Sequence, residues 1–132
     1  PWLERMGFTV AIHATPRPGF GPILTAERIE DPSRPTVLTY GHGDTVRGLE
    51  DQWRQGLEPW KLIEEDPLWY GRGTADNKGQ HALNLAALEA VLAERGGKLG
   101  FNVKLVLETS EERGSASASS WRSGRPSLPP TC

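Results

Sequence analysis

Residues 78–112 read KGQHALNLAALEAVLAERGGKLGFNVKLVLETSEE, and this stretch decides the fold class. Its first half predicts a helix over about residues 78–95, followed by a glycine pair of the kind often found beyond a helix C-terminus. The apolar residues that predict a single stripe along this helix are Leu83, Ala86, Ala87, Ala90 and Val91. Residues 101–107 then predict a β-strand, because they alternate at first and finish with an apolar run.

The segments before this helix predict further strands. Residues 36–40 carry β-branched or aromatic side chains on both faces, which predicts a buried strand. A strand, a helix and a second strand in this order favour two parallel strands joined by a right-handed crossover. Residues 8–12 and 23–29 are two more strand candidates, and a long loop rich in tryptophan is predicted before the helix. The predicted fold class is α/β, with a partly parallel sheet and flanking helices.

The charge, hydropathy and cysteine content of the chain indicate which kinds of partner and which cellular compartment to expect. The chain has 132 residues and a formal net charge of −2 without a basic block, which favours neither nucleic acid nor an anionic membrane as a partner. No apolar stretch approaches the roughly 18 residues needed to cross a bilayer. Cys132 is the single cysteine, which suits a cytoplasmic protein. Residues 116–132 are rich in Ser, Pro, Gly and Arg, so we expect a disordered tail or a shifted reading frame there.

Two polar side chains follow the strand predicted at residues 36–40. His42 and Asp44 are two positions apart, so in an extended chain they point to the same side and the carboxylate can orient the imidazole. A neutral imidazole at the end of a strand is a ligand suited to zinc. The alternative is a strand-end histidine beside a turn-forming aspartate, and this short motif alone favours that alternative.

The glycine-rich segment at residues 70–79, YGRGTADNKG, places Asp76 immediately before the helix. It is not a phosphate-binding P-loop, because Lys78 precedes a glycine and no Ser or Thr follows. It is not a dinucleotide fingerprint either, since the sixth position counted from Gly71 is Asp76. The alternative to a functional role is an aspartate that caps the helix N-terminus.

Two adjacent carboxylates, Glu111 and Glu112, lie just beyond the strand predicted at residues 101–107. Adjacent carboxylates repel each other, which indicates a bound cation or a shared proton. One of them can bind a metal ion while its neighbour acts as general base toward water. The alternative is a solvated acidic turn balanced by Arg113.

Together, the three motifs resemble those of the zinc-dependent peptidase and deacylase family that includes acetylornithine deacetylase, succinyl-diaminopimelate desuccinylase, carboxypeptidase G and the carnosinase-type dipeptidases. The family's Gly-His-x-Asp motif is matched at residues 41–44, and its Tyr-Gly-Arg-Gly-x-x-Asp-x-Lys-Gly motif at residues 70–79. Its Glu-Glu pair followed by Gly-Ser is matched at residues 111–115. The resemblance implies that residues 1–115 form the N-terminal part of a metallohydrolase catalytic domain.

The resemblance also implies a role for each site residue. Two zinc ions would occupy a complete active site, and Co²⁺ or Mn²⁺ could take their place in such a mixed nitrogen and oxygen site. The implied metal ligands are His42, Asp76 and Glu112, with Asp76 bridging the two ions. Asp44 would orient His42, and Glu111 would be the general base.

Three more expectations concern residues near these motifs. The resemblance implies a cis peptide bond between Asp76 and Asn77. His13 and His81 match no motif position, and we expect a strand residue and a helix-surface residue, respectively.

The implied activity is hydrolysis of amide bonds in small peptides or N-acyl amino acids, by a protein that is often a homodimer. The family also has a further acidic ligand, a final histidine and a lid and dimerisation domain, none of which this sequence carries. We therefore expect the isolated chain to be inactive. The alternatives are a non-catalytic α/β fragment or binding module with relic metal motifs, and an aminopeptidase that shares the core but lacks the lid.

Overall fold

A computed structural model describes residues 1–15 and 17–115 of the chain. The predicted tail at residues 116–132 lies outside the described residues. The regular elements are α1 (Trp2–Arg5), β1 (Thr9–His13), β2 (Ile23–Arg28), β3 (Thr36–His42), β4 (Ile63–Glu65), β5 (Leu68–Tyr70), α2 (Gly79–Glu94) and β6 (Asn102–Glu108). Neither described helix has the length and apolar character that a bilayer crossing requires.

The main sheet has four strands in the order β1-β2-β6-β3. Strand β2 pairs antiparallel with β1 and with β6, whereas β3 and β6 run parallel from Thr36 opposite Asn102 to His42 opposite Glu108. The predicted α/β class with a partly parallel sheet is therefore confirmed. Because β3 and β6 run parallel and in register, the segments that follow them leave the sheet at the same edge.

Helix α2 packs on the core with a different face from the one predicted. The buried core consists of Met6, Phe8, Ala26, Leu99, Val103 and Leu105. The helix residues that pack against it are Leu85, Leu88, Val91 and Leu92. The predicted stripe is wrong except at Val91, and Leu83 is 72% exposed. Apolar residues lie on two sides of this helix, so their spacing alone does not identify the side that meets the sheet.

Strand β3 is not buried as predicted. Leu38 is 69% exposed, and Val37 and Tyr40 are also exposed. Within the described residues β3 is an outer strand that pairs only with β6, so its outer edge and much of its apolar surface are uncovered. An apolar run shows that a strand can be buried, and its position in the sheet decides whether it is.

The predicted tryptophan-rich loop contains a small hairpin. Strands β4 and β5 pair antiparallel, from Ile63 opposite Tyr70 to Glu65 opposite Leu68. The backbone then turns at Gly71, where the N–H of Arg72 donates to the carbonyl of Pro59 at 2.7 Å. This hairpin delivers the chain to the turn before α2, which carries the second motif.

Candidate metal centre

Three connections bring the predicted site residues to one edge of the sheet. His42 is the last residue of β3, and Asp44 follows it in the loop. Glu111 and Glu112 begin a short helical turn, Glu111–Arg113, three residues beyond β6. Asp76 lies in the irregular turn Thr74–Lys78, where its own φ of −133° and ψ of 97° are not helical. The peptide bond from Asp76 to Asn77 is cis, which confirms that prediction.

The imidazole of His42 is at the middle of this group. Its residue is only 5% exposed, and its Nδ1 lies 3.1 Å from the backbone oxygen of Asp44. Its Nε2 lies 2.9 Å from Oδ1 of Asp76 and 3.9 Å from Oε2 of Glu111. A proton on Nδ1, donated to Asp44, would leave the lone pair of Nε2 directed toward these carboxylates.

The carboxylate of Asp44 links the first motif to the third. Its Oδ1 lies 3.4 Å from Nδ1 of His42. The same carboxylate accepts the backbone N–H groups of Glu111 and Glu112, each at 3.1 Å. Asp44 therefore contacts the imidazole and also fixes the start of the turn that carries both glutamates.

The donor set fits a zinc-type ion. One ligand atom from each of His42, Glu111 and Glu112 lies within 4.8 Å of the other two. Zinc binds such nitrogen and oxygen ligands at about 2.0–2.2 Å, so modest side-chain shifts would close the shell around one ion. The predicted ligands were His42, Asp76 and Glu112, with Glu111 as base. All of these side chains are gathered at His42, and their individual roles stay predictions.

The local electrostatics favour a cation at the imidazole. Burial by itself would lower the pKa of His42. The hydrogen bond to Asp76, the backbone oxygen of Asp44 and the charges of Glu111 and Asp44 outweigh burial and raise this pKa. The same negative groups would attract a metal ion to Nε2, where it would replace the proton.

His81 was assigned to the helix surface, and this expectation is wrong. Its ring lies so close to Gly41 that a Cβ there would overlap both the ring and Oδ1 of Asn77. Its Nε2 is buried and has no hydrogen-bond partner among residues 1–15 and 17–115. Burial, followed by the charge of His42, lowers the pKa of His81. The sequence signal for this contact is Gly41, because a glycine within a strand often marks a place where another group closely approaches the backbone.

Asn77 was also missed as a contributor to the site. Its Oδ1 accepts the backbone N–H of His42 at 3.1 Å, and its Nδ2 donates to Gln80. The second motif therefore holds the main chain of the first motif as well as contacting its imidazole through Asp76.

A buried glutamate supports the third motif, and the sequence reasoning missed it. Glu108, the last residue of β6, is 1% exposed and accepts hydrogen bonds from the hydroxyls of Tyr40 and Ser115. Its backbone oxygen accepts the N–H of Gly43 at 2.8 Å. Burial and the hydrogen bond to Glu108 raise the pKa of Tyr40, which keeps the phenol protonated. These bonds fix both ends of the turn that holds Glu111.

Known proteins resemble this chain in sequence and in fold. Residues 38–126 match the peptidase family M20/M25/M40. The cysteinylglycine-S-conjugate dipeptidase of Corynebacterium striatum is 39% identical over 113 residues, which are 85% of this chain and 24% of that enzyme. The β-Ala-His dipeptidase of Mus musculus is 43% identical over 97 residues, which are 71% of this chain and 19% of that enzyme.

The fold has solved counterparts. The crystal structure of human carnosine dipeptidase 1 matches with a TM-score of 0.78 and 33% identity, over 91% of this chain and 26% of that chain. This chain therefore spans about a quarter of the length of that structure, and a quarter or less of the two dipeptidases.

Proposed function

Because the chain belongs to the peptidase family M20/M25/M40, we propose that its site serves the metal-dependent hydrolysis of an amide bond in a small peptide or an N-acyl amino acid. One observation carries this proposal: a buried imidazole has carboxylates against its Nε2 and Asp44 against its Nδ1. Separate capping or surface roles for His42, Asp76 and Glu111 would not require these three side chains to meet.

In this proposal His42, Asp76 and Glu112 would hold the metal. Zinc is the expected metal, and Co²⁺ or Mn²⁺ would also suit the mixed ligands. When bound, such an ion polarises the substrate carbonyl and lowers the pKa of water toward neutrality. Asp44 would orient the imidazole, because it contacts Nδ1 and leaves Nε2 free to bind the metal.

Glu111 is the proposed general base. Its side chain is 44% exposed, so water and substrate can reach a carboxylate that also lies 3.9 Å from the imidazole. Its carboxylate would take a proton from the attacking water and then deliver that proton to the leaving nitrogen. In this step the oxygen of one water forms a C–O bond to the carbonyl carbon and the C–N bond breaks. A carboxylate and an ammonium group are released, and the nitrogen carries both protons of the water.

The chain itself would be one part of this hydrolase. We propose that residues 1–115 form the N-terminal part of the catalytic domain and supply three of five metal ligands. The family resemblance implies that the complete hydrolase has four further parts. These are one more acidic ligand, a final histidine ligand, a lid and a dimer contact. An isolated chain would then bind metal weakly and lack turnover. Cytoplasmic location also stays a prediction.

A chimaera separates this proposal from a binding module with relic motifs. Residues 1–115 would replace the aligned segment of human carnosine dipeptidase 1, and hydrolysis of carnosine would be measured. We expect turnover that falls about 10²–10⁴-fold in Glu111→Gln, as for removal of a general base. The matched control is Glu89→Gln on the exposed face of α2. A folded chimaera without turnover, or with equal turnover in Glu111→Gln, would contradict the proposed function.

A further inference from the structure

Two adjoining cavities open beside the metal centre, next to the β4–β5 hairpin. Their volumes are about 290 Å³ and 440 Å³, and we call the pair the hairpin pocket. The residues that line both cavities are Leu62, Arg72, Thr74 and Lys78. The pocket adjoins the site because one cavity is also lined by Thr45, which follows Asp44, while Thr74 and Lys78 flank Asp76 in sequence.

One wall of the hairpin pocket is apolar and uncovered. Trp60 lines one cavity and Trp69 the other, and each is 64% exposed. Leu62, which lines both, is 59% exposed. Large exposed apolar side chains that meet in a concave surface are typical of a ligand site.

The other side of the hairpin pocket is cationic. Arg72 and Lys78 both line it, and no Asp or Glu is among the lining residues of either cavity. The backbone N–H of Lys78 donates to the carbonyl of Gly73 at 2.9 Å, but its side chain makes no hydrogen bond or ion pair with any residue in the described ranges 1–15 and 17–115. Its Nζ lies over the backbone of Gly73, where a Cβ would be 3.1 Å away.

Arg72 is held in place without using all of its donors. Its Nη2 donates to the carbonyl of Gly48 at 3.0 Å, and its guanidinium carbon is 5.5 Å from the ring centroid of Trp53. Its Nε has no hydrogen-bond partner in the part of the chain that the structure describes. This Nε is itself buried, so the hydrogen-bonding capacity left for an anion lies at Nη1, which makes no hydrogen bond among the described residues, on a guanidinium that is pre-positioned.

The acidic residue next to this wall is Glu50. Its Oε1 accepts the indole N–H of Trp60 at 2.8 Å, and it does not line either cavity. Hydrogen bonds from its own backbone N–H and from Trp60, and then the charge of Arg72, lower the pKa of Glu50. Glu50 therefore offsets part of the charge of Arg72, and the lining cation whose side chain has no acidic partner among the described residues is Lys78.

We propose that the hairpin pocket binds a carboxylate-bearing end of the amide substrate, with Arg72 and Lys78 pairing with the carboxylate and Trp60 contacting the adjoining apolar part. The assignment to substrate rests on the proposed function, since it takes the scissile amide to lie at His42. The carboxylate can belong to the amino acid or to the acyl group, and both supply the same planar anion.

The test measures ligand binding by the full chain in the presence of a metal chelator. The indole N–H signals of Trp60 and Trp69 are followed by ¹H–¹⁵N NMR during titration. The probes are N-acetyl-L-leucine, with the carboxylate on the amino acid; N-succinyl-L-leucinamide, with the carboxylate on the acyl group; and N-acetyl-L-leucinamide, which is neutral. We expect saturable shifts with one or both anions, and weaker binding of the neutral probe.

Charge variants complete the test. Lys78→Met should weaken binding of the anionic probe by about fivefold, the upper range for one solvent-exposed ion pair. The matched control is Lys98→Met, which removes an exposed lysine that lines neither cavity. Equal binding of neutral and anionic probes, or unchanged binding in Lys78→Met, would overturn the proposal. So would the absence of any shift in a chain whose NMR spectrum shows it to be folded.

Failure here is distinguishable from failure of the proposed function. Binding without metal tests only Arg72, Lys78 and the apolar wall, whereas the chimaera tests Glu111. Anion binding together with an inactive chimaera would support an anion site in the hairpin pocket and contradict the proposed hydrolase function. An active chimaera whose pocket shows no preference for anions would support the hydrolase function and contradict the anion site.

Discussion

Replacing Asp44 by asparagine tests whether one carboxylate organises two motifs at once. In the native chain this carboxylate accepts two backbone N–H groups, from Glu111 and Glu112, and lies 3.4 Å from Nδ1 of His42. Asparagine has the same shape and retains one acceptor oxygen. Its amide group would face the second N–H as donor against donor, so one of these bonds is lost and the other loses its charge assistance.

The expected magnitude follows from these bonds. A hydrogen bond to a charged group contributes roughly 1.5–3 kcal/mol. Both N···O distances are 3.1 Å, near the long end of the normal range, which favours the lower figure. We therefore expect Asp44→Asn to lower the free energy of unfolding by about 1.5–2 kcal/mol. Zinc affinity should fall about 10–100-fold, as for loss of a carboxylate that orients a metal-bound histidine.

The assay is urea unfolding followed by circular dichroism, at neutral pH and high salt so that repulsion among the neighbouring carboxylates is screened. Zinc affinity is measured by competition with a chromophoric chelator. The control is Asp51→Asn, since Asp51 is exposed and makes no side-chain hydrogen bond among the described residues. An Asp44→Asn variant with the stability and zinc affinity of that control would show that Asp44 does not hold the two motifs together.

Three other perturbations test the fold that holds the site. Gly41→Ala should cost about 1–3 kcal/mol through overpacking against His81 and Oδ1 of Asn77, and His81→Ala in the same chain should relieve the part that is due to the ring. A Gly41→Ala variant as stable as the parent contradicts this packing. Asn102 is 1% exposed, accepts hydrogen bonds from the N–H groups of Glu30 and Asp31, and donates to two carbonyls. Asn102→Ala should therefore lower the free energy of unfolding by at least about 2 kcal/mol, whereas the control Asn84→Ala, at an exposed position, should change it little. Hydrogen bonds from the N–H groups of Leu99 and Gly100, then Arg28, lower the pKa of Glu30, so its contribution is present above its ordinary pKa and disappears as the pH falls through the lowered value. The difference in unfolding free energy between the parent and Glu30→Gln should therefore shrink in acid. A difference independent of pH would contradict a stabilising role for the ionised Glu30 carboxylate.

The sequence predicted the regular elements, and the meeting of the three motifs, better than it predicted the packing. Strand β6 and helix α2 were predicted within about one residue of their observed ends, because Gly96 and the apolar run at residues 105–107 are strong local signals. Likewise, His42 and Glu111 follow parallel strands, so their meeting depends on topology that the order of elements already indicates.

The errors share one physical cause, which is that burial depends on neighbours distant in sequence. Leu83 and Leu85 are equally apolar, and only the position of the sheet makes Leu85 the one that packs on the core. His81 lies in the first turn of α2, and its contact with Gly41 exists only because this turn lies against the end of β3. Such contacts cannot be inferred from periodicity, which describes one element at a time.

Zinc titration of the full chain, followed by NMR of the histidine rings, tests whether a metal centre forms at His42. The chain has three histidines, so each ring can be assigned and compared. We expect weak, saturable binding that shifts the ring signals of His42 first, with accompanying shifts in the backbone of Asp76, Glu111 and Glu112. Shifts confined to His13 or His81, or no saturable shift in a folded chain, would contradict a metal centre at His42.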